Sequence, residues 1–100
     1  MSLEDELTAA LRGTIDAARN HNYVPTYFLR MLDKYGGLGT AKRLLVKNDT
    51  QTRLFKLYEL GLLDESMEAV VLQERFRPLF TDEELAEARR RLEELGYSQD

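Results

Sequence analysis

The chain has no cysteine, and that one absence removes disulfides, thiolate metal sites and cysteine nucleophiles together. It also suits a cytoplasmic protein. There is a single histidine, His21. With no second histidine and no neighbouring carboxylate, its place in Asn20-His21-Asn22 reads as a partner for a helix C-terminus, not as a base or a ligand. Serine is scarce too: Ser66 reads as a helix cap, and neither Ser2 nor Ser98 has a neighbour that would activate it as a nucleophile. Two prolines and almost no β-branched runs leave strands without support. Apolar runs are only a few residues long, far short of the ~20 that cross a bilayer. The acids Glu4, Asp5 and Glu6 stand where a signal peptide would be basic and then apolar.

What is present is helical periodicity. Leu3, Leu7, Leu11, Ile15 and Ala18 step by threes and fours, predicting a first amphipathic helix that ends near His21-Asn22. Pro25 suits the first turn of a second helix, with Tyr27, Phe28, Met31, Leu32 and Tyr35 as its stripe and Gly36 as its end. A short third helix carries Ala41, Leu44 and Leu45. Asn48-Asp49-Thr50 forms a turn and cap before a fourth, with Leu54, Phe55, Leu57, Tyr58 and Leu60. Asp64 or Ser66 caps a fifth helix through Met67, Val70, Val71 and Leu72, and Pro78 breaks the pattern after it.

The helix ends are the sharpest signals. Leu57 to Leu62 and Leu92 to Tyr97 each place glycine where a helix closes in the left-handed conformation, followed by an apolar residue that folds back. The two endings lie 35 residues apart, but the residues between them do not match, so shared capping chemistry and not a repeat explains them. Thr81 and Glu84 form a capping box, with Phe80 and Leu85 as its staple. The last helix turns Leu85, Ala88, Leu92 and Leu95 inward and carries Glu87–Arg91, Arg89–Glu93 and Arg90–Glu94 on its solvated side. The expectation is all-α: one domain over residues 1–100, a compact bundle of about six short helices.

Three strings carry a family resemblance. The first is Tyr23-x-Pro25-Thr26-Tyr27-Phe28-Leu29-x-Met31-Leu32-x-x-Tyr35-Gly36-Gly37 with Thr40-Ala41-Lys42-Arg43-Leu44-Leu45. The second is Leu57-x-Glu59-Leu60-Gly61-x-Leu63-Asp64-x-Ser66-x-Glu68-Ala69-Val70-Val71-Leu72. The third is Phe76-x-Pro78-Leu79-Phe80-Thr81-x-Glu83-Glu84 with Ala88-Arg89-x-Arg91-Leu92. Together, over roughly residues 22–92, they resemble a small, widespread bacterial domain of uncharacterised function that occurs alone and as the tail of larger proteins. The resemblance implies a complete helical domain and transfers no catalytic residue.

Charge is unevenly placed. From Thr26 to Lys56 stand seven basic residues, Arg30, Lys34, Lys42, Arg43, Lys47, Arg53 and Lys56, against two acids, Asp33 and Asp49; that stretch is +5 in a chain whose total is −4. A solvated surface mixes its signs, so this segment reads as an electropositive face able to meet an acidic protein surface or nucleic-acid phosphate. The alternative is that the basic face docks on the acidic first and last helices. Within the segment, Gly37, Gly39 and Thr40 precede Lys42 and Arg43 at a helix start, a place where free amides can hold an anion. The turn is not a Walker loop, which needs its last glycine followed at once by Lys and Ser or Thr after a strand. It has two residues fewer than a helix-hairpin-helix turn, which rotates the following helix by roughly 200°.

Tyr23, Tyr27, Tyr35 and Tyr58 could stack on bases, but their helical spacing reads as core. Carboxylate clusters at Glu4-Asp5-Glu6, at Asp64-Glu65 with Glu68, and at Asp82-Glu83-Glu84 sit at helix starts, where the dipole favours them, and lack the spacing of a calcium loop. No cofactor or metal is expected and no membrane contact. The function that follows is a non-catalytic accessory or protein-interaction module, with a nucleic-acid-binding accessory as the alternative.

Overall fold

The computed structural model describes residues 2–46 and 52–97, and among them every regular element is helical. Lys47 and the expected cap cluster Asn48-Asp49-Thr50 lie outside the described residues.

Helix α1 (Leu3–Arg19) starts in a capping box: the Asp5 amide donates to Ser2 Oγ at 3.1 Å and the Ser2 amide to the Asp5 carboxylate at 3.4 Å. Its apolar stripe is buried at Leu7, Leu11, Ile15 and Ala18. It closes on Asn22, whose φ of 62° lets the Tyr23 amide return to Ala18 O at 3.0 Å. His21 Nδ1 lies 3.1 Å from Ala17 O, as its place at the helix end predicts.

Helix α2 (Thr26–Val46) is bent at Gly36, whose φ/ψ of 74°/177° is not helical. The expected second and third helices are therefore its two halves, 26–35 and 37–46. Helix α3 (Thr52–Glu59) ends at Gly61 with φ 74°, where Leu62 N donates to Leu57 O and Gly61 N to Tyr58 O. After a 3₁₀ turn at Leu63–Glu65, Ser66 caps the short α4 (Met67–Val71), accepting from the Ala69 amide at 3.2 Å. Pro78 does not simply break the chain: it sits in a second 3₁₀ stretch, Glu74–Leu79. Helix α5 (Asp82–Glu94) opens with the expected Thr81/Glu84 box and closes at Gly96, φ 78°, with Tyr97 N on Leu92 O.

All five residues of α4 are buried, and α4 packs against both α1 and α5 while α1 also lies along α2. Leu7, Leu11, Phe28, Leu32, Met67, Val71, Phe76 and Leu92 form the shared core. The α1/α2 crossing is close because of Gly37: a Cβ there would stand 2.7 Å from Thr8 Cα.

Two core expectations are corrected. Tyr27, Tyr35 and Tyr58 are 58%, 37% and 46% exposed, and Phe55 is 51% exposed. On the eight-residue α3 the buried apolar residues are Leu54 and Leu57. Phe55 and Tyr58, one residue further round, fall about 100° off that line and stack on each other at the surface. Arg91, expected on the solvated side of α5, is buried. Arg90 does pair with Glu94 and also with Glu87, at the surface.

Candidate binding groove

The bend at Gly36 turns the two halves of α2 into the walls of a shallow groove of about 560 Å³, lined by Tyr27, Met31, Tyr35, Lys42, Arg43 and Val46. Tyr27, Met31 and Tyr35 are spaced by fours on the first half. Gly39 and Arg43 continue that spacing on the second. Gly39 has no side chain, so Tyr35 and Arg43 meet across it. The Arg43 guanidinium carbon lies 3.7 Å from the Tyr35 ring centroid, and its Nη1 donates to Gly39 O at 3.3 Å. Lys34 Nζ lies 5.2 Å from the same ring. Hydrogen bonding and charge from Lys34, with a smaller contribution from Arg43, hold the Tyr35 phenol below its ordinary pKa. Val46, 76% exposed, adds an apolar rim.

The electropositive residues expected from sequence separate into two sets. Arg30, Lys34, Arg43 and Lys56 are exposed and have no acidic partner among the described residues. Lys42 and Arg53 are neutralised internally. Lys42 Nζ lies 2.7 Å from Glu84 Oε1 and over the Phe80 ring, so that a residue of the basic segment is held by the last helix. Burial raises the Glu84 pKa, but the hydrogen bonds from Lys42 and Thr81 outweigh it and leave it below the ordinary value. Lys47 lies outside the described residues.

Gly37, Gly39 and Thr40 are not gathered into an anion cradle. The Gly37 amide is taken by Thr8 Oγ1 at 2.9 Å, and Thr8 in turn donates to Glu4 O. Thr40 is fully buried. The turn's glycines serve a bend, a close helix crossing and the Tyr35–Arg43 contact. No group of three or more His, Asp or Glu side chains able to hold a metal ion occurs among the described residues.

The sequence reading missed a buried ion cluster. Glu68 is fully buried in α4; Arg53 Nη2 reaches its two carboxylate oxygens at 3.0 and 2.9 Å, and Arg91 Nη1 reaches one at 3.1 Å. Arg91 also donates from Nε to Glu87 at 2.6 Å and from Nη2 to Leu44 O at 2.8 Å, at the last turn of α2. Burial pushes the Glu68 carboxyl up, but the Arg53 charge and hydrogen bonds, its own amide and Arg91 together pull it below the ordinary value. A signal was available: Glu68 is flanked by Met67, Ala69, Val70 and Val71, and Arg91 follows Ala88 by three in the inward stripe.

The cluster joins α2, α3, α4 and α5 and fixes the second half of α2 against which the groove is built. No helix among the described residues is long and apolar enough to cross a membrane. Comparison of the chain with protein-family models, with curated proteins and with solved structures finds no match.

Proposed function

We propose that the protein is a non-catalytic interaction module, bacterial and cytoplasmic, that receives an acidic, amphipathic segment of another protein in the α2 groove. Membership of the small bacterial helical family it resembles belongs to the same proposal. The observation that carries it is the pairing, within one groove, of exposed apolar surface with a cation that has no acid among the described residues: Tyr27 and Val46 beside Arg43. An amphipathic acidic segment offers the complement, apolar side chains for the floor and carboxylates for the edge. Nucleic acid is the weaker reading. Arg43 already covers a face of Tyr35, so that ring is not an open platform for a base. A phosphate backbone also gains nothing from Val46.

The test is fluorescence anisotropy with a labelled peptide of about 14 residues carrying Leu and Glu at helical spacing. A Leu/Lys peptide of the same length and single- and double-stranded DNA and RNA are run beside it, at about 50 and 200 mM salt. Saturable binding of the acidic peptide alone, weakened by Val46→Asp, is expected. Absence of saturable acidic-peptide binding overturns the reading. If salt-sensitive nucleic-acid binding appears instead and is lost in Lys42→Glu/Arg43→Glu, the nucleic-acid role replaces it.

A further inference from the structure

We propose that Tyr35, Gly39 and Arg43 form a preset receptor for a carboxylate, and that Arg43 is the residue that determines which ligands the groove accepts. This inference rests on the groove being the docking site. Arginine is normally a mobile side chain whose ordering costs entropy on binding. Here the guanidinium is already stacked on the Tyr35 ring at 3.7 Å and tethered to Gly39 O through Nη1.

The position depends on what residue 39 lacks. A Cβ there would lie 3.0 Å from Tyr35 Cβ, a tight approach, and 3.4 Å from Arg43 Nη1, so a larger residue presses on Tyr35 and fills the space beside the guanidinium. With Nη1 engaged by the backbone, the planar group keeps further N–H donors for a fork-to-fork contact, the geometry a carboxylate matches. The charge balance selects a carboxylate over a phosphate. Among the described residues that line the groove, Lys42 is spent on Glu84 at 2.7 Å and Arg43 is the cation left to meet a monoanion. Val46 places exposed apolar surface next to that point. The preferred ligand group is therefore an acidic side chain or chain terminus with an apolar neighbour.

The test uses the intact chain and NMR titration of backbone amides and arginine Nε–H signals with 3-phenylpropionate, its neutral amide and inorganic phosphate. In the wild type, 3-phenylpropionate is expected to shift Arg43 Nε–H and Val46 saturably, with the amide inert and phosphate weaker. Arg43→Lys keeps the charge but loses the fork. Gly39→Ala keeps every charge and crowds the contact. Each should raise Kd at least about tenfold, the size of one lost charge-assisted hydrogen bond. Unchanged affinity in Arg43→Lys overturns the receptor, because charge alone would then suffice. Phosphate binding as tight as 3-phenylpropionate overturns the choice of carboxylate. Absence of any shift at Arg43 while the Leu/Glu peptide still binds overturns the receptor and leaves the groove. Failure of that peptide to bind overturns the groove itself, so the two failures are separable.

Discussion

Arg43 and Arg53 come from the same basic segment and meet opposite fates. Arg43 lies at the surface over the Tyr35 ring, with no acid within reach among the described residues. Arg53 turns inward to both oxygens of the buried Glu68 and lies 5.3 Å from the Phe28 ring centroid. One cation is kept available and the other is used up in holding helices together. Net charge along a sequence therefore overstates the potential a surface offers. The +5 of the central segment counts Lys42 and Arg53, whose charge α5 and α4 cancel.

The contrast can be broken most forcefully at Glu68. Glu68→Ala leaves Arg53 and Arg91 without their shared partner and should cost about 3–5 kcal/mol, the range for removing one member of a buried pair. Urea unfolding followed by circular dichroism reads this. An unchanged midpoint would show that the cluster contributes no stability.

The same contribution can be titrated without mutation. Glu68 and Glu87 both have folded pKa values below the ordinary value of 4.5; Glu87, hydrogen-bonded by Arg90 and then by Arg91, is held at about 2. As pH falls, the unfolded chain takes up protons before the folded one does. The stability these groups give is therefore whole above about pH 4.5 and is lost as pH falls towards the folded values, near 2 for Glu87. Denaturation midpoints measured from pH 6 down to about pH 2.5 should decline steeply in the wild type and more shallowly in Glu87→Gln.

A smaller effect is expected at the helix crossing. Gly37→Ala forces a methyl to within 2.7 Å of Thr8 backbone and should destabilise by about 1–3 kcal/mol, as overpacking does. Gly13→Ala, with nothing within 4 Å, is the control that should not. The smallest effect belongs to the groove. Arg43→Met should change stability by no more than about 0.5 kcal/mol, because an exposed side chain with no acid partner among the described residues supports little. Its cost should show only in ligand binding. A large loss of stability there would erase the distinction between the two arginines.

Legibility followed the range of the interactions. Helix ends depend on residues a few positions apart, so Gly61, Gly96, the Thr81/Glu84 box and the division at Gly36 could all be read directly. Asn22 in the left-handed conformation extended the same logic to a residue without glycine's freedom. Burial was harder. Tyr27, Tyr35 and Phe55 fit an apolar stripe in sequence, but a short helix buries only the line facing its neighbours, and these residues lie beside that line. Arg91 fit a solvated pair with Glu87 and makes that contact, yet the rest of its guanidinium is spent on α4 and α2.

By itself, then, the sequence determined the all-helical class, the helix ends at Asn22, Gly36, Gly61, Thr81 and Gly96, and the segregation of charge, because each is set by local backbone geometry or by composition. Only the tertiary structure decided which cations are neutralised and which are displayed. That outcome depends on which acid another helix brings within about 4 Å, a distance at which burial strengthens the pairing many-fold over water, and no spacing along the chain encodes it.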